Sequence, residues 1–248
     1  MDELRASSEA AAPPSGEDVP PADGRTAGSS LPARVVRLLV SPAALFDELR
    51  ERPRWIGALL LVVAIALLVA ALIPSDVVME YVRQQMTRGR PDVPADAVER
   101  GLGIARFTRF VGPVVGTAVG AFLISAVLFL IYELGMGGEA GFKPVLASTS
   151  HTLLIPTIGN LLTLPIILRT GDLQASLSLD LLMPGMSHSG FAFRLLHGLN
   201  LFGLWGAVVL GIAMSRLYPK RSAGGAITLT VALYLVVKAL LAVAGGVG

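Results

Sequence analysis

The chain has 248 residues, of which 53% are hydrophobic and only 15% charged, with a formal net charge of +2. Soluble domains carry about 25% charged residues, so a mean hydropathy of +0.68 places long stretches in lipid, and so small a net charge gives a nucleic-acid partner no support. The absence of cysteine excludes disulfides, thiolate metal sites and cysteine nucleophiles.

Residues 1–32 are rich in Ala, Pro, Ser, Gly, Asp and Glu. They bury too little apolar surface to offset the entropy of ordering, so a disordered tail is predicted. No apolar core within it resembles a secretory signal. Residues 33–54 form an amphipathic juxtamembrane segment. Arg34 and Arg37 share one helical face, and Val35, Val36, Leu39 and Val40 the other. Ser41-Pro42 reads as an N-cap followed by proline at the first helical position. The next turns group Leu45, Phe46 and Leu49, with Asp47, Glu48 and Glu51 facing away. This pattern predicts a helix lying on the membrane surface, anchored by Phe46, Arg52, Arg54 and Trp55. A short helix packed on the bundle is the alternative.

Residues 55–73 contain no charge and end at Pro74. As a helix they reach roughly 28 Å, close to the hydrocarbon thickness of a bilayer. Residues 75–109 are charged and read as a loop in which residues 76–87 form a helix and Pro91 and Pro94 break its continuation. The second span, 111–134, opens with Gly112, Gly116 and Gly120, a double GxxxG ladder that lets helix backbones approach closely. The ladder serves either a homodimer seam or packing within one subunit, and packing within the subunit is the reading taken. Glu133 lies near the end of this span, where it marks an ion site or reaches the interface.

The third span, 144–168, carries Ser148, Thr152, Pro156, Asn160 and Thr163 at near-helical spacing, with His151 and Gly159 beside them. Such a polar stripe is predicted to face the bundle, and Pro156 to kink the helix. It is either a broken helix at a transport site or a seam of small and hydroxylic residues, and the seam is favoured. The loop that follows holds an apolar middle, interrupted by Asp180 and Pro184, and His188, read as an exposed loop histidine. The fourth span, 191–217, holds His197, Asn200 and Trp205; the fifth, 225–247, holds Lys238. Intramembrane ionisable groups are either functional or snorkel to the interface, so Glu133, His151, Asn160, His197, Asn200 and Lys238 form the candidate intramembrane polar site.

No HExxH, P-loop or GxSxG pattern is present, and the three histidines lack metal-ligand spacing. Neither an enzyme, a metal nor a cofactor is therefore predicted. The expected fold class is all-α: a polytopic bundle of five transmembrane helices with an N-terminal amphipathic interfacial helix. Basic residues cluster beside the first, fourth and fifth spans, which places the N-terminus in the cytoplasm.

Three stretches together resemble the Yip family of Ypt/Rab-interacting integral membrane proteins, in its prokaryotic form. They are Ser41-Pro42, Phe46 and Arg52-Pro53-Arg54-Trp55 leading into a span; Gly141-Phe142-Lys143 leading into the span that carries Pro156; and Asn200-Leu201-Phe202, Trp205 and Leu210-Gly211-Ile212-Ala213. Asn200 stands where the family pattern is expected to have aspartate. The resemblance covers residues 31–248 and implies a five-helix membrane domain with a cytoplasmic N-terminus, in a bacterial inner membrane. Eukaryotic members are associated with vesicle traffic, small GTPases and membrane shaping, and that GTPase role does not transfer safely to a bacterial chain. The expected function is non-enzymatic: organising membrane or partner proteins, with the bilayer, other membrane proteins or a second copy as partners. A transporter or permease component is the alternative.

Overall fold

The computed structural model describes residues 28–88, 92–183 and 190–244. Most of the N-terminal tail, His188 and the end of the fifth predicted span lie outside the described residues. The described chain is all-α, with a single isolated bridge between Ser178 and Asn200.

Two short helices lead. α1 (Leu31–Val40) starts at Ser30, whose hydroxyl accepts from the Ala33 N–H. α2 (Pro42–Glu51) begins one residue after α1 ends. Ser41 occupies the N-cap position, yet its hydroxyl makes no capping bond; its backbone N–H closes α1 on the Arg37 carbonyl at 2.8 Å. α3 (Ile56–Leu72) is the uniformly apolar run. It turns by 89° into α4 (Ser75–Thr87). The bared carbonyls at the α3 end are met by Arg109, whose guanidinium donates to Ala70 O and Ile73 O and, at 2.9 Å, to Ser75 Oγ. A cation at a helix C-terminus is favoured by both hydrogen bonding and the helix dipole.

α5 (Ala95–Phe129) continues through a π-helical turn, Leu130–Gly135. The segment 75–109 is therefore mostly helix rather than loop. Its charges lie on α4 and the first turns of α5, and Pro94 sits where a new helix starts. α6 (Phe142–Thr152) and α7 (Leu154–Thr170) form one 29-residue run interrupted at Leu153. The interruption falls three residues before Pro156, because the proline ring excludes the carbonyl four positions earlier. The predicted fourth span is also broken. α8 (Phe191–Gly198) ends before Asn200, and α9 (Leu201–Leu217) starts anew with the Asn200 side chain accepting from Gly203 N at 2.6 Å. α10 (Ala223–Val243) closes the chain, capped by Ser222.

Among the described residues three helical runs are long and apolar enough to cross a membrane, 95–135, 142–170 and 223–243, or four if α3 and α4 count as one bent span. α3 and α9 have 17 residues each, about 25 Å of rise. α9 is the centre: α10 packs along it, and α2, α6 and α7 pack against its other sides. α3 and α5 flank α6.

Candidate functional site

The core runs from the leader into the bundle. Leu38, Leu45, Phe46 and Leu49 are fully buried and join Val209, Leu210, Ala213 and Met214 of α9 in one apolar cluster. Phe46 thus anchors the leader to protein rather than to lipid. Burying such a side chain contributes about 1.5–3 kcal/mol. The outward residues Val36, Leu39 and Val40 are exposed apolar groups at the same level. Arg52 and Arg54 are exposed, and Trp55 meets the Phe122 ring edge-on at 5.8 Å.

Arg34 departs most from the predicted pattern. Instead of facing water beside Arg37 it is buried, 6% exposed, with Nη1 3.2 Å from the Arg54 carbonyl and 3.3 Å from His151 Nε2. A guanidinium only donates, so Nε2 is the acceptor, and the imidazole proton sits on Nδ1, 2.8 Å from Ala147 O. The ring is neutral and oriented at both nitrogens. Burial, and then the charge of Arg54, pulls the Arg34 guanidinium below its ordinary value, opposed by Glu48. Glu48 in turn accepts from Ser29 at 2.6 and 2.8 Å and from Arg37 at 2.9 Å. Burial alone would raise its carboxyl; the Ser29 bonds and the Arg37 and Arg34 charges hold it below the usual glutamate value. Arg34 Nε and, on the same helix as His151, the hydroxyls of Ser148, Thr149 and Ser150 are buried and make no hydrogen bond. A further pair, Arg216 with Asp47, ties α9 to α2.

The other candidate polar residues do not converge on one site. Glu133 receives the Tyr218 hydroxyl at 3.0 Å and the N–H groups of Ala140 and Gly141 at 3.2 Å each, so it holds the 136–141 turn. Burial and the Glu133 carboxylate push the Tyr218 phenol up, which keeps it a donor. His197 pairs with Asp180 at 3.1 Å on the 171–183 loop. Asn160 is exposed, against the expectation that the whole polar stripe faces the bundle, while Ser148, Thr152 and Thr163 are buried. Gly159 is buried against the Phe202 ring. Among the described residues Asn200 and Lys238 line one cavity. Sequence reasoning missed the burial of Arg34 and the roles of Thr149 and Tyr234; Leu38, one turn after Arg34 on its own face, was the one available signal.

Among the described residues the glycine ladder has no partner. A Cβ added at Gly112, Gly116 or Gly120 would meet nothing within 4 Å. The close packing lies elsewhere: at Gly211 a Cβ would fall 2.5 Å from Ile227 Cα.

Comparison with known proteins follows the same outline. The family model for the Yip1 domain matches residues 36–245. Membrane protein YknW of Bacillus subtilis (strain 168) is 27% identical over 181 residues, which cover 72% of this chain and 76% of that protein. No solved structure matches the chain.

Proposed function

The chain belongs to the Yip1 domain family, and on that premise we propose that it is a non-enzymatic membrane protein that organises other membrane proteins through the open face of α5. In this reading α3 and α9 cross the bilayer as well, which makes five spans, and the leader lies at the cytoplasmic surface of a bacterial inner membrane. Basic residues beside the first, fourth and fifth spans support that orientation.

The observation that carries the proposal is the ladder. Gly112, Gly116 and Gly120 lie on a 41-residue helical run whose apolar window is only 17% buried, and none of the described residues would meet a Cβ added at them. Small residues at this spacing favour close helix–helix contact in lipid. The docked leader leaves this face uncovered, because α1 and α2 pack on α6 and α9.

A chain without cysteine makes the test direct. Gly116→Cys in native membranes is expected to form a disulfide-linked adduct with a second copy, or a cross-link to another membrane protein through a bifunctional thiol reagent. Gly112→Leu or Gly120→Leu in that background should abolish it. Monomer alone under both treatments overturns the proposal.

A further inference from the structure

Two cavities meet on the flank of α9. One, about 210 Å³, is lined by Thr149, Thr152, Asn200, Tyr234 and Lys238 together with apolar neighbours. The other, about 260 Å³, is bounded by Leu123 and Val127 of α5 and by Thr230, Leu233 and Val237 of α10. They share Ile124, Ala207, Leu210 and Tyr234. One groove therefore runs from a polar end to an apolar one. Leu123, Ile124, Val127 and Val237 are exposed along it, so it opens sideways toward the acyl chains. Joined, the two cavities reach the size of a small-molecule site.

The polar end is rich in donors and lacks an anion. The Lys238 ammonium lies 5.8 Å from the centre of the Tyr234 ring, and no carboxylate pairs with it among the described residues. The Asn200 carbonyl oxygen is occupied in capping α9, which leaves its amide nitrogen to donate. An unpaired ammonium within a span is costly and calls for an anionic partner.

Depth identifies the kind of partner. Lys238 lies five residues before the end of α10 at Val243, about 7.5 Å of rise. That places it in the outer third of α10, toward the end remote from the leader. Tyr234, Leu233 and Thr230 follow successively deeper on the same helix. A bilayer lipid has this same order, with its charge at the interface and its chain toward the midplane.

We propose that this groove holds one anionic membrane lipid, with its phosphate at Lys238 and Asn200 and one acyl chain between α5 and α10. The lipid belongs to the leaflet remote from the leader. It neutralises Lys238 and fills the gap that α5 and α10 leave beside α9.

The test uses the full chain in detergent and native mass spectrometry. Dioleoylphosphatidylglycerol is expected to give bound-lipid adducts about fivefold more abundant than dioleoylphosphatidylcholine, as one cation at the headgroup provides. Lys238→Met should bring the ratio to near unity, Lys238→Arg should retain it, and Leu233→Trp should reduce both adducts by filling the apolar half. A dioleoyl lipid bearing a diazirine in one chain should label α5 and α10 in the unmodified protein, a readout that needs no variant to fold. A wild type that does not discriminate, a Lys238→Met variant that keeps the preference, or label confined to other helices overturns the proposal. So does glycerol phosphate competing as well as the whole lipid, which would assign the polar end to a free anion, or a dimer that excludes lipid from the groove.

Discussion

Arg34 and His151 are separated by 117 residues of chain and by 3.3 Å of space. The contact joins the first helix to the middle of a membrane run, and each partner fixes the other: the guanidinium needs an acceptor, and the neutral ring offers one. Arg34→Leu leaves His151 Nε2 buried without a donor and is expected to cost about 1–3 kcal/mol. His151→Leu strands a buried cation and should cost at least as much. The double variant should be less destabilised than the sum of the singles, because both stranded groups are gone. Thermal melts of the three variants in detergent check this; strict additivity would show that the pair is not coupled.

Glycines of one chain are predicted to respond in opposite ways. Gly211→Ala places a methyl 2.5 Å from Ile227 Cα, a backbone atom that cannot swing aside, so α9 and α10 must separate. A loss of about 1–3 kcal/mol is expected. Gly116→Ala meets open space and should leave the detergent-solubilised monomer unchanged or more stable by up to about 1 kcal/mol. Melting temperatures that fall equally in both variants would refute the contrast.

Acid should release the leader. The folded Glu48 carboxyl titrates below its ordinary value, so the unfolded chain binds its proton first as the pH drops. Its contribution is fully present above about pH 4.5 and is lost as the pH falls through the lower folded value. Asp180 is shifted in the same direction: its burial is outweighed by bonds from Ser178 and His197. Hydrogen exchange across residues 29–51 and 176–182 should therefore quicken together on acidification. In Glu48→Gln the first segment should already exchange fast at neutral pH and the second should not.

Arg109→Ala removes the donor that meets the last carbonyls of α3. The turn into α4 is expected to loosen, with a cost of about 1–3 kcal/mol. Faster exchange confined to residues 70–80, with α9 and α10 protected as before, is the pattern to look for.

Much of this architecture was legible in the chain itself. Long uncharged runs announce helices in lipid, and the apolar pattern of 33–54 announces a helical leader. Charge patterns were less informative: residues 95–110 carry several charges and still continue the α5 helix, because a helix leaving the bilayer changes its solvent without changing its hydrogen bonds. Periodicity failed at breaks. The stripe from Ser148 to Thr163 carries one helical period through the kink expected at Pro156, but the interruption at Leu153 resets the faces, and Asn160 turns outward while Thr163 remains inside. Spacing also cannot tell which face of a helix has a neighbour. That is why the ladder on α5, read as internal packing, is open among the described residues, whereas Gly211, in the run of small residues Gly203, Ala207, Gly211 and Ser215, is the tight contact.

The bond from Asp47 to Arg216 spans 169 residues, and with Phe46 buried against α9 it sets an order of assembly. During synthesis the leader emerges first; α6 then supplies part of the surface that receives it, and the rest is made only when the fourth apolar helix is complete. Until then the part of its apolar face that α9 covers stays open. Docking is therefore a late event, and a chain truncated before α9 would display its own first helices as a mark of incompleteness.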